Sequence, residues 1–272
     1  MTIKMIFSDI DGTLLNSNHQ ISPGTRNAVR KCSEKQIPFI LVSARMPGAI
    51  MSLQKELDIH APIVSYGGAL VFRNPDIENP DRPIRNIHLD PELVRDIYQI
   101  ICKRFPSVCF SAYSLNEWLV PDSENEWVVQ EKMITGTPAQ AFHFDSSGKD
   151  LPPINKILCM GSPSIIDELE NFLGKNDTAA SIYKSKPTYL EITDRRANKA
   201  AALELLINDF QIGREETAAF GDNFNDLEML RFAGVGIAMG NAPEAIRASA
   251  NFVTRSNDQD GIVRGLEKFG VI

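Results

Sequence analysis

Two aspartates in the amino-terminal stretch Asp9-Ile10-Asp11-Gly12-Thr13-Leu14-Leu15 are the first residues whose types and spacing could do chemistry. They follow the apolar run Ile3 to Phe7, which reads as a strand. In extended chain residues two apart share a face, so both carboxylates are expected to point into one space. On its own, a D-x-D-G stretch is as readily a turn whose aspartates satisfy neighbouring N–H groups. A second loop shifts the balance. The run Thr217 to Phe220 leads into Gly221-Asp222-Asn223-Phe224-Asn225-Asp226, which adds two more carboxylates at a strand's carboxyl end. Converging carboxylates repel and raise one another's pKa, whereas a hard, oxygen-seeking cation such as Mg²⁺ makes the cluster favourable. A metal site is the economical reading. Asp226 and Asn225 also suit the capping of a helix expected over residues 226–233, and for Asp226 capping and site support stand level.

Two further elements offer positive or donating groups. After the expected strand Pro38 to Val42 comes Ser43-Ala44-Arg45, a hydroxyl and a backbone N–H at the start of a helical stretch, which suits an anion. Alone, Ser43 is as well explained as a helix cap and Arg45 as a solvated charge. Lys199 lies one turn before the apolar stripe Leu203, Leu206, Ile207 and Phe210, on the inward face. Its stem could cover the core while its ammonium reaches water. With the other loops implying a phosphate, a neutralising role is the better reading.

These residues need a scaffold that brings four loops to one place. Short apolar runs ending in polar, glycine-containing turns and followed by helical patterns recur at both ends of the chain, the mark of βα units on a doubly wound parallel sheet. Expected here are helices over 25–35 and 48–57, a strand over 63–65, then, after Asp194, a helix to Phe210, strands over 217–220 and 235–238, and a helix from Ala242. Pro75, Pro80 and Pro83 interrupt this rhythm in a polar stretch. Between roughly Ile84 and Ile192 the pattern is α+β, with helices over 91–104 and 164–173 and strand-like pieces over 108–113 and 157–160. The expected organisation is a core of residues 1–83 and 193–272 split by an insertion of residues 84–192.

Bulk properties narrow the function. At 272 residues and 43% hydrophobic content the chain can bury a substantial core. A net charge of -7 and a pI near 5.2 exclude a surface that gathers nucleic acid by bulk electrostatics. Cys32, Cys102, Cys109 and Cys159 form no zinc-like spacing and read as free buried thiols. No signal-peptide core or membrane-length apolar stretch is seen, so a cytoplasmic setting without membrane partners is expected.

Taken in order, Asp9-Ile10-Asp11-Gly12-Thr13, Ser43-Ala44-Arg45, Lys199 and Gly221-Asp222-x-x-Asn225-Asp226 resemble the four motifs of the haloacid dehalogenase superfamily, in its Cof-type, sugar-phosphatase-like branch with a large inserted cap. The resemblance covers the whole length. It implies a Rossmann-like α/β core with a C2-type α+β cap that closes over the site and selects the leaving group, and an Mg²⁺-dependent phosphatase acting on a small phosphorylated metabolite, as a monomer or small homo-oligomer. Asp9 would be the nucleophile and Asp11 the general acid-base. Mg²⁺ would be held by Asp9, the backbone carbonyl of Asp11, and Asp222. Gly12, Ser43, the Ala44 N–H, Lys199 and Asn225 would contact phosphate or substrate, with Asp226 and Arg45 in support. Departures from the family pattern are Ser43 and Ala44 for a usual Thr-Gly, Ala200 for a glycine after the lysine, and Ser65-Tyr66-Gly67-Gly68 in the third loop. Two alternatives share the pocket: a phosphomutase with the same aspartyl-phosphate, and a non-catalytic phosphometabolite sensor. Tyr113, Trp118 and Trp127 of the insertion read as cap core or as pocket lining.

Overall fold

Apolar runs too short for helices set the centre of the fold. β1 (Met5–Ser8) and β2 (Phe39–Val42) are buried at every residue, the pattern of strands covered on both faces in a parallel sheet. Between them, α1 (Pro23–Glu34) starts where the Ser22 hydroxyl accepts the Thr25 N–H at 3.0 Å and Pro23 presets φ for the first turn. Next come α2 (Pro47–Leu57), β3 (Ile63–Ser65), β4 (Leu70–Phe72) and the short β5 (Arg85–Asn86). The structure, a computed structural model, describes residues 2–75, 82–144, 151–175 and 180–272. Pro80, part of the polar stretch between the two halves, lies outside the described residues.

The chain divides into two units, one of Met1–Arg85 with Asn198–Ile272 and one of Asn86–Ala197. The second contains α3 (Pro91–Arg104), β6 (Cys109–Ser114), β7 (Glu117–Val120), α4 (Glu126–Thr135), β8 (Gln140–Ala141), β9 (Lys156–Met160), α5 (Pro163–Gly174), β10 (Ala180–Lys186) and β11 (Tyr189–Asp194). Its strands run in the order β10-β11-β9-β6-β7-β8. Neighbours are antiparallel except the β7–β8 pair. One face bears Phe110, Ala112, Leu119, Ile157, Cys159, Leu190 and Ile192, which pack with Ile97 and Ile101 of α3 and Ile166 and Leu169 of α5.

The first unit resumes with α6 (Lys199–Asp209), β12 (Thr217–Gly221), α7 (Leu227–Phe232), β13 (Val235–Ala238), α8 (Glu244–Arg247), β14 (Phe252–Val253) and α9 (Gly261–Lys268). Its sheet order is β14-β13-β12-β1-β2-β3-β4-β5. The strands from β14 to β3 pair in parallel, and β4 turns back antiparallel to β3. Met5, Phe7, Ile40 and Val42 pack on one face with Leu203, Leu206 and Ile207 of α6 and Leu230 of α7. α1 and α9 lie against each other, apart from that cluster.

Strand order puts the reversal of the doubly wound sheet between β1 and β12. The chain winds from β1 through β2 to β3 on one side, then re-enters as β12 on the other and continues to β13. Loops leaving the carboxyl ends of the two central strands therefore part and open a crevice, the usual ligand position in such sheets.

Three expectations need correction. Cys102 is exposed, because it falls on the outer side of α3, whereas Cys32, Cys109 and Cys159 are buried. Phe210 caps the end of α6 and is 38% exposed, so the stripe that follows Lys199 ends at Ile207. The helix expected from Ala242 is a single turn starting at Glu244. Among the described residues no helix is long and apolar enough to cross a membrane.

Candidate active site

Asp9 stands one residue past the end of β1, with its N–H donated to the Phe220 carbonyl of β12 at 3.0 Å. Its carboxylate is buried and meets Lys199, whose Nζ donates to Asp9 Oδ1 at 2.5 Å and to Asp226 Oδ1 at 2.6 Å. Lys199 is the first residue of α6, placed there by Asn198, whose Oδ1 accepts the Ala201 N–H at 3.1 Å. A cation at a helix amino terminus opposes the macrodipole. At 3% exposure, loss of water lowers the Lys199 pKa further, yet Asp226 and Asp9 together outweigh burial and its pKa rises.

Asp226 supports the site and does not cap α7 through its side chain, which is turned to the preceding loop and to Lys199. Its Oδ2 accepts the N–H groups of Asp222 and Asn223, each at 3.0 Å, fixing the single 3₁₀ turn of Phe224–Asp226. Its Oδ1 holds Lys199. The short turn also explains why α7 starts at Leu227. Asp222, at the end of β12, accepts the Thr13 hydroxyl at 2.8 Å. Burial, assisted by Asp226 and opposed by the Thr13 hydrogen bond, pushes its pKa up to about 6. The Asp9 pKa is raised as well, first by burial and then by Asp226 and Asp222, against the pull of Lys199.

Asp9, Asp222 and Asp226 each bring a carboxylate oxygen within 4.8 Å of the others. One ammonium among two buried carboxylates and a half-buried third leaves the cluster short of positive charge, and a divalent cation with oxygen preference fits that deficit. Both oxygens of Asp226 are engaged by Lys199 and the backbone. Asp9 and Asp222 are thus the carboxylates suited to the ion.

Asp11 departs from the expected arrangement. β1 ends at Ser8, and the Ile10 carbonyl already accepts the Leu15 N–H at 2.9 Å, so the chain turns before Asp11 and the two-residue periodicity no longer applies. The Asp11 side chain is 52% exposed and outside the carboxylate cluster. Arg45 binds it in a fork, Nε to Oδ2 at 2.9 Å and Nη2 to Oδ1 at 2.6 Å, so Arg45 is not merely a solvated charge. Ser43 is buried, and its hydroxyl accepts the Arg45 N–H at 3.2 Å. The Ser43-Ala44-Arg45 stretch precedes α2, which starts at Pro47, and so is a loop and not a helix terminus. Asn225 is exposed on the turn beside Asp226.

Gly12 has φ +83°, and a side chain there would meet Asp222 Oδ2 at 2.4 Å, so only glycine lets the first loop cross Asp222 so closely. Neither Ala44 nor Ala200 has positive φ, and the alanines sit without backbone strain. The strain is in the third loop instead: Tyr66, buried, has φ +50°, unusual for an aromatic residue. That loop is tied to the second one, with the Gly67 N–H on the Ser43 carbonyl at 3.0 Å and the Ser65 hydroxyl on the Arg45 carbonyl at 2.5 Å.

Sequence reasoning passed over two residues. Thr13 lay inside the first motif but was given no part, although it anchors Asp222. Asn241, after β13, donates Nδ2 to the Gly12 carbonyl at 2.9 Å and approaches Asp222 Oδ2 at 3.5 Å. A polar residue beyond the carboxyl end of the next parallel strand was the available signal.

The haloacid dehalogenase-like hydrolase family model matches residues 6–266 of the chain. A Haemophilus influenzae protein named "Putative phosphatase" is 35% identical over 268 residues, covering 98% of each chain. The 5-amino-6-(5-phospho-D-ribitylamino)uracil phosphatase YitU of Bacillus subtilis is 26% identical, covering 97% of each. Among solved structures, a haloacid dehalogenase-like hydrolase from Bacteroides thetaiotaomicron superposes with a TM-score of 0.86 at 29% identity, covering 98% of this chain and 99% of its own.

Proposed function

Because the chain belongs to the haloacid dehalogenase-like hydrolases and is a phosphatase of that type, we propose that it hydrolyses small phosphomonoesters with Mg²⁺ through a phosphoryl group carried on Asp9. The observation that carries this reading is the buried Asp9 at the sheet's switch point, with Oδ1 held by Lys199 and Asp222 and Asp226 beside it. Lys199 restrains one oxygen, and Oδ2 is the atom that attacks phosphorus as the ester oxygen leaves. Asp11 gives its proton to that leaving oxygen, exchanging its Arg45 partner for the substrate. It then takes a proton from the water that attacks the phosphoryl-Asp9, which releases inorganic phosphate and restores the carboxylate.

Asp9, Asp222 and the Asp11 carbonyl would hold Mg²⁺, which would supply charge to screen the nucleophile from the phosphate. Ser43, the Ala44 N–H and Lys199 hold the phosphoryl oxygens, while Gly12 and Asn225 line the approach. Asp226 keeps Lys199 in place. The insertion, over about residues 84–192, serves as the specificity domain. A sugar or sugar-alcohol phosphate is the substrate class we favour, in keeping with the ribityl phosphate named for the Bacillus subtilis relative. Four free cysteines suit work in the reducing cytoplasm.

The test is phosphate release from a panel of sugar, polyol and nucleoside phosphates with Mg²⁺ or a chelator. Asp9→Asn should remove turnover while keeping the melting temperature within a few degrees, and acid quench of the parent should trap phosphate on Asp9. Turnover persisting in the Asp9→Asn protein would overturn the assignment.

A further inference from the structure

Asn241 lies in the loop after β13, within the first unit, and is exposed, so it fills no gap in the core. Its backbone is nevertheless fixed. The Met239 N–H donates to the Gly221 carbonyl, just ahead of Asp222, at 3.0 Å, and the Gly240 N–H to the Arg255 carbonyl at 3.0 Å. From this footing Asn241 Nδ2 reaches two acceptors, the Gly12 carbonyl at 2.9 Å and Asp222 Oδ2 at 3.5 Å. Neither oxygen can donate to the other, and an amide nitrogen carries two hydrogens, so one side chain serves both.

Hydrogen bonding also decides which end of the amide faces the site. Asn241 Oδ1 accepts the Asn257 N–H at 3.1 Å. Turned over, the amide would set donor against donor there and its oxygen against the Gly12 carbonyl and Asp222. Asn257 in turn donates Nδ2 to the Leu15 carbonyl at 2.9 Å, which ties the far end of the same first loop.

The Asp222 carboxylate is the group that gains. The Thr13 hydroxyl holds Oδ1 at 2.8 Å. The last torsion of an aspartate is broad, so a bond to one oxygen leaves the plane of the group free to swing. A donor beside Oδ2 restricts that swing, even at the outer limit of hydrogen-bond length. The left-handed turn at Gly12, φ +83°, brings the first loop against this same oxygen and presents its carbonyl to the same amide.

We propose that Asn241 is a positioning residue for the cation site: its amide sets the plane of the Asp222 carboxylate against the Gly12 turn, so that Asp222 is already ordered when Mg²⁺ arrives. This rests on the reading of Asp222 as an Mg²⁺ ligand in a phosphomonoesterase, and it adds a residue outside the four sequence motifs. Asn241 acts through Asp222.

The readout is Mg²⁺ binding by isothermal titration calorimetry, without substrate. In Asn241→Ala the Mg²⁺ Kd should rise about fivefold, the effect of one net hydrogen bond, and half-maximal phosphate release should need correspondingly more Mg²⁺. Asn257→Ala is the control for loosening of the loop. It removes the tie to Leu15 but keeps the backbone N–H that orients Asn241, and its Kd should stay within about twofold of the parent value. An unchanged Kd in Asn241→Ala overturns the proposal, as does equal weakening in both variants or the lack of Mg²⁺ binding by the parent. Should Asn241→Ala not fold, Asn241→Leu, of similar size and without a donor, takes its place. Mg²⁺ affinity that falls as expected in a protein that releases phosphate from no ester would sink the phosphatase chemistry and leave the role of Asn241 standing.

Discussion

At the scale of single residues, the site turns on Lys199. It begins a helix at the end that disfavours a cation, has almost no contact with water, and still holds its proton, because Asp9 and Asp226 lie at hydrogen-bond distance. Replacing it with methionine leaves the two buried carboxylates of Asp9 and Asp226 without their ammonium. Loss of one partner from a buried pair costs roughly 3–5 kcal/mol. Loss of a preplaced donor to a phosphoryl group costs on the order of 10²–10³ in rate. Lys199→Met should therefore lower both kcat and the melting temperature, and added Mg²⁺ should recover more of the stability than of the rate. Equal recovery of the two would show that the lysine acts only as a counter-ion. Lys199 was legible in the sequence because it stood on the inward side of an apolar stripe, and Asp9 and Asp222 because two acidic loops past the ends of apolar strands converge in a way that one turn does not explain, whereas for Asp226 capping and site support stood level. The fork between Arg45 and Asp11 was not legible: it depends on where β1 stops, and a turn starting two residues later would have put both aspartates on one face. Asn241 reaches Gly12 across 229 positions, a contact that no local pattern records.

At the scale of elements, the third loop is fitted between α6 and the second loop. Gly68 has φ +103°, and a side chain there would meet the Asn198 carbonyl at 2.2 Å, directly beside the start of α6. Gly67 has φ +64° with open space around it. The pair makes a controlled comparison. Gly67→Ala should cost about 1–2 kcal/mol, the penalty for an alanine in the left-handed region. Gly68→Ala should cost more, because the helix start must shift, and it should lower kcat through Lys199 while Gly67→Ala leaves kcat near the parent value. Chemical denaturation with rate measurements separates the two effects. The regularity of elements also marks where sequence reading works. β1, β2 and β13 are continuous buried apolar runs, and α3 has a clear apolar stripe, so both kinds appear where expected. β10, with the sequence Ala-Ser-Ile-Tyr-Lys-Ser-Lys, alternates weakly because its far end is exposed, and β4 is three residues long after a strained turn. Such strands exist through their neighbours, which a single sequence does not display.

At the scale of the whole molecule, the carboxylate cluster links stability to pH and to metal. Asp9 and Asp222 have pKa values raised above those of the unfolded chain, by burial first, with Asp222 at about 6. In this direction the native state holds protons more tightly than the unfolded state. The metal-free protein therefore gains stability from these groups as pH falls from neutrality through about 6 towards the unfolded carboxylate value near 4, and loses it as pH rises again. A divalent cation competes with those protons for Asp9 and Asp222. At neutral pH the protons are largely gone from Asp222, and Mg²⁺ at about a hundred times its Kd should add roughly 2.7 kcal/mol, or several degrees in melting temperature. Near pH 5 protons occupy the site, metal affinity falls by up to about tenfold per pH unit, and the increment should shrink towards zero. Differential scanning calorimetry with a chelator and with Mg²⁺, at about pH 7.5, 6 and 5, reads this directly. A cation increment that stays constant across that range would mean that the ion is held by groups other than Asp9 and Asp222. Replacing Asp222 with asparagine should weaken the dependence, since one of the two groups whose protons the metal displaces is then absent.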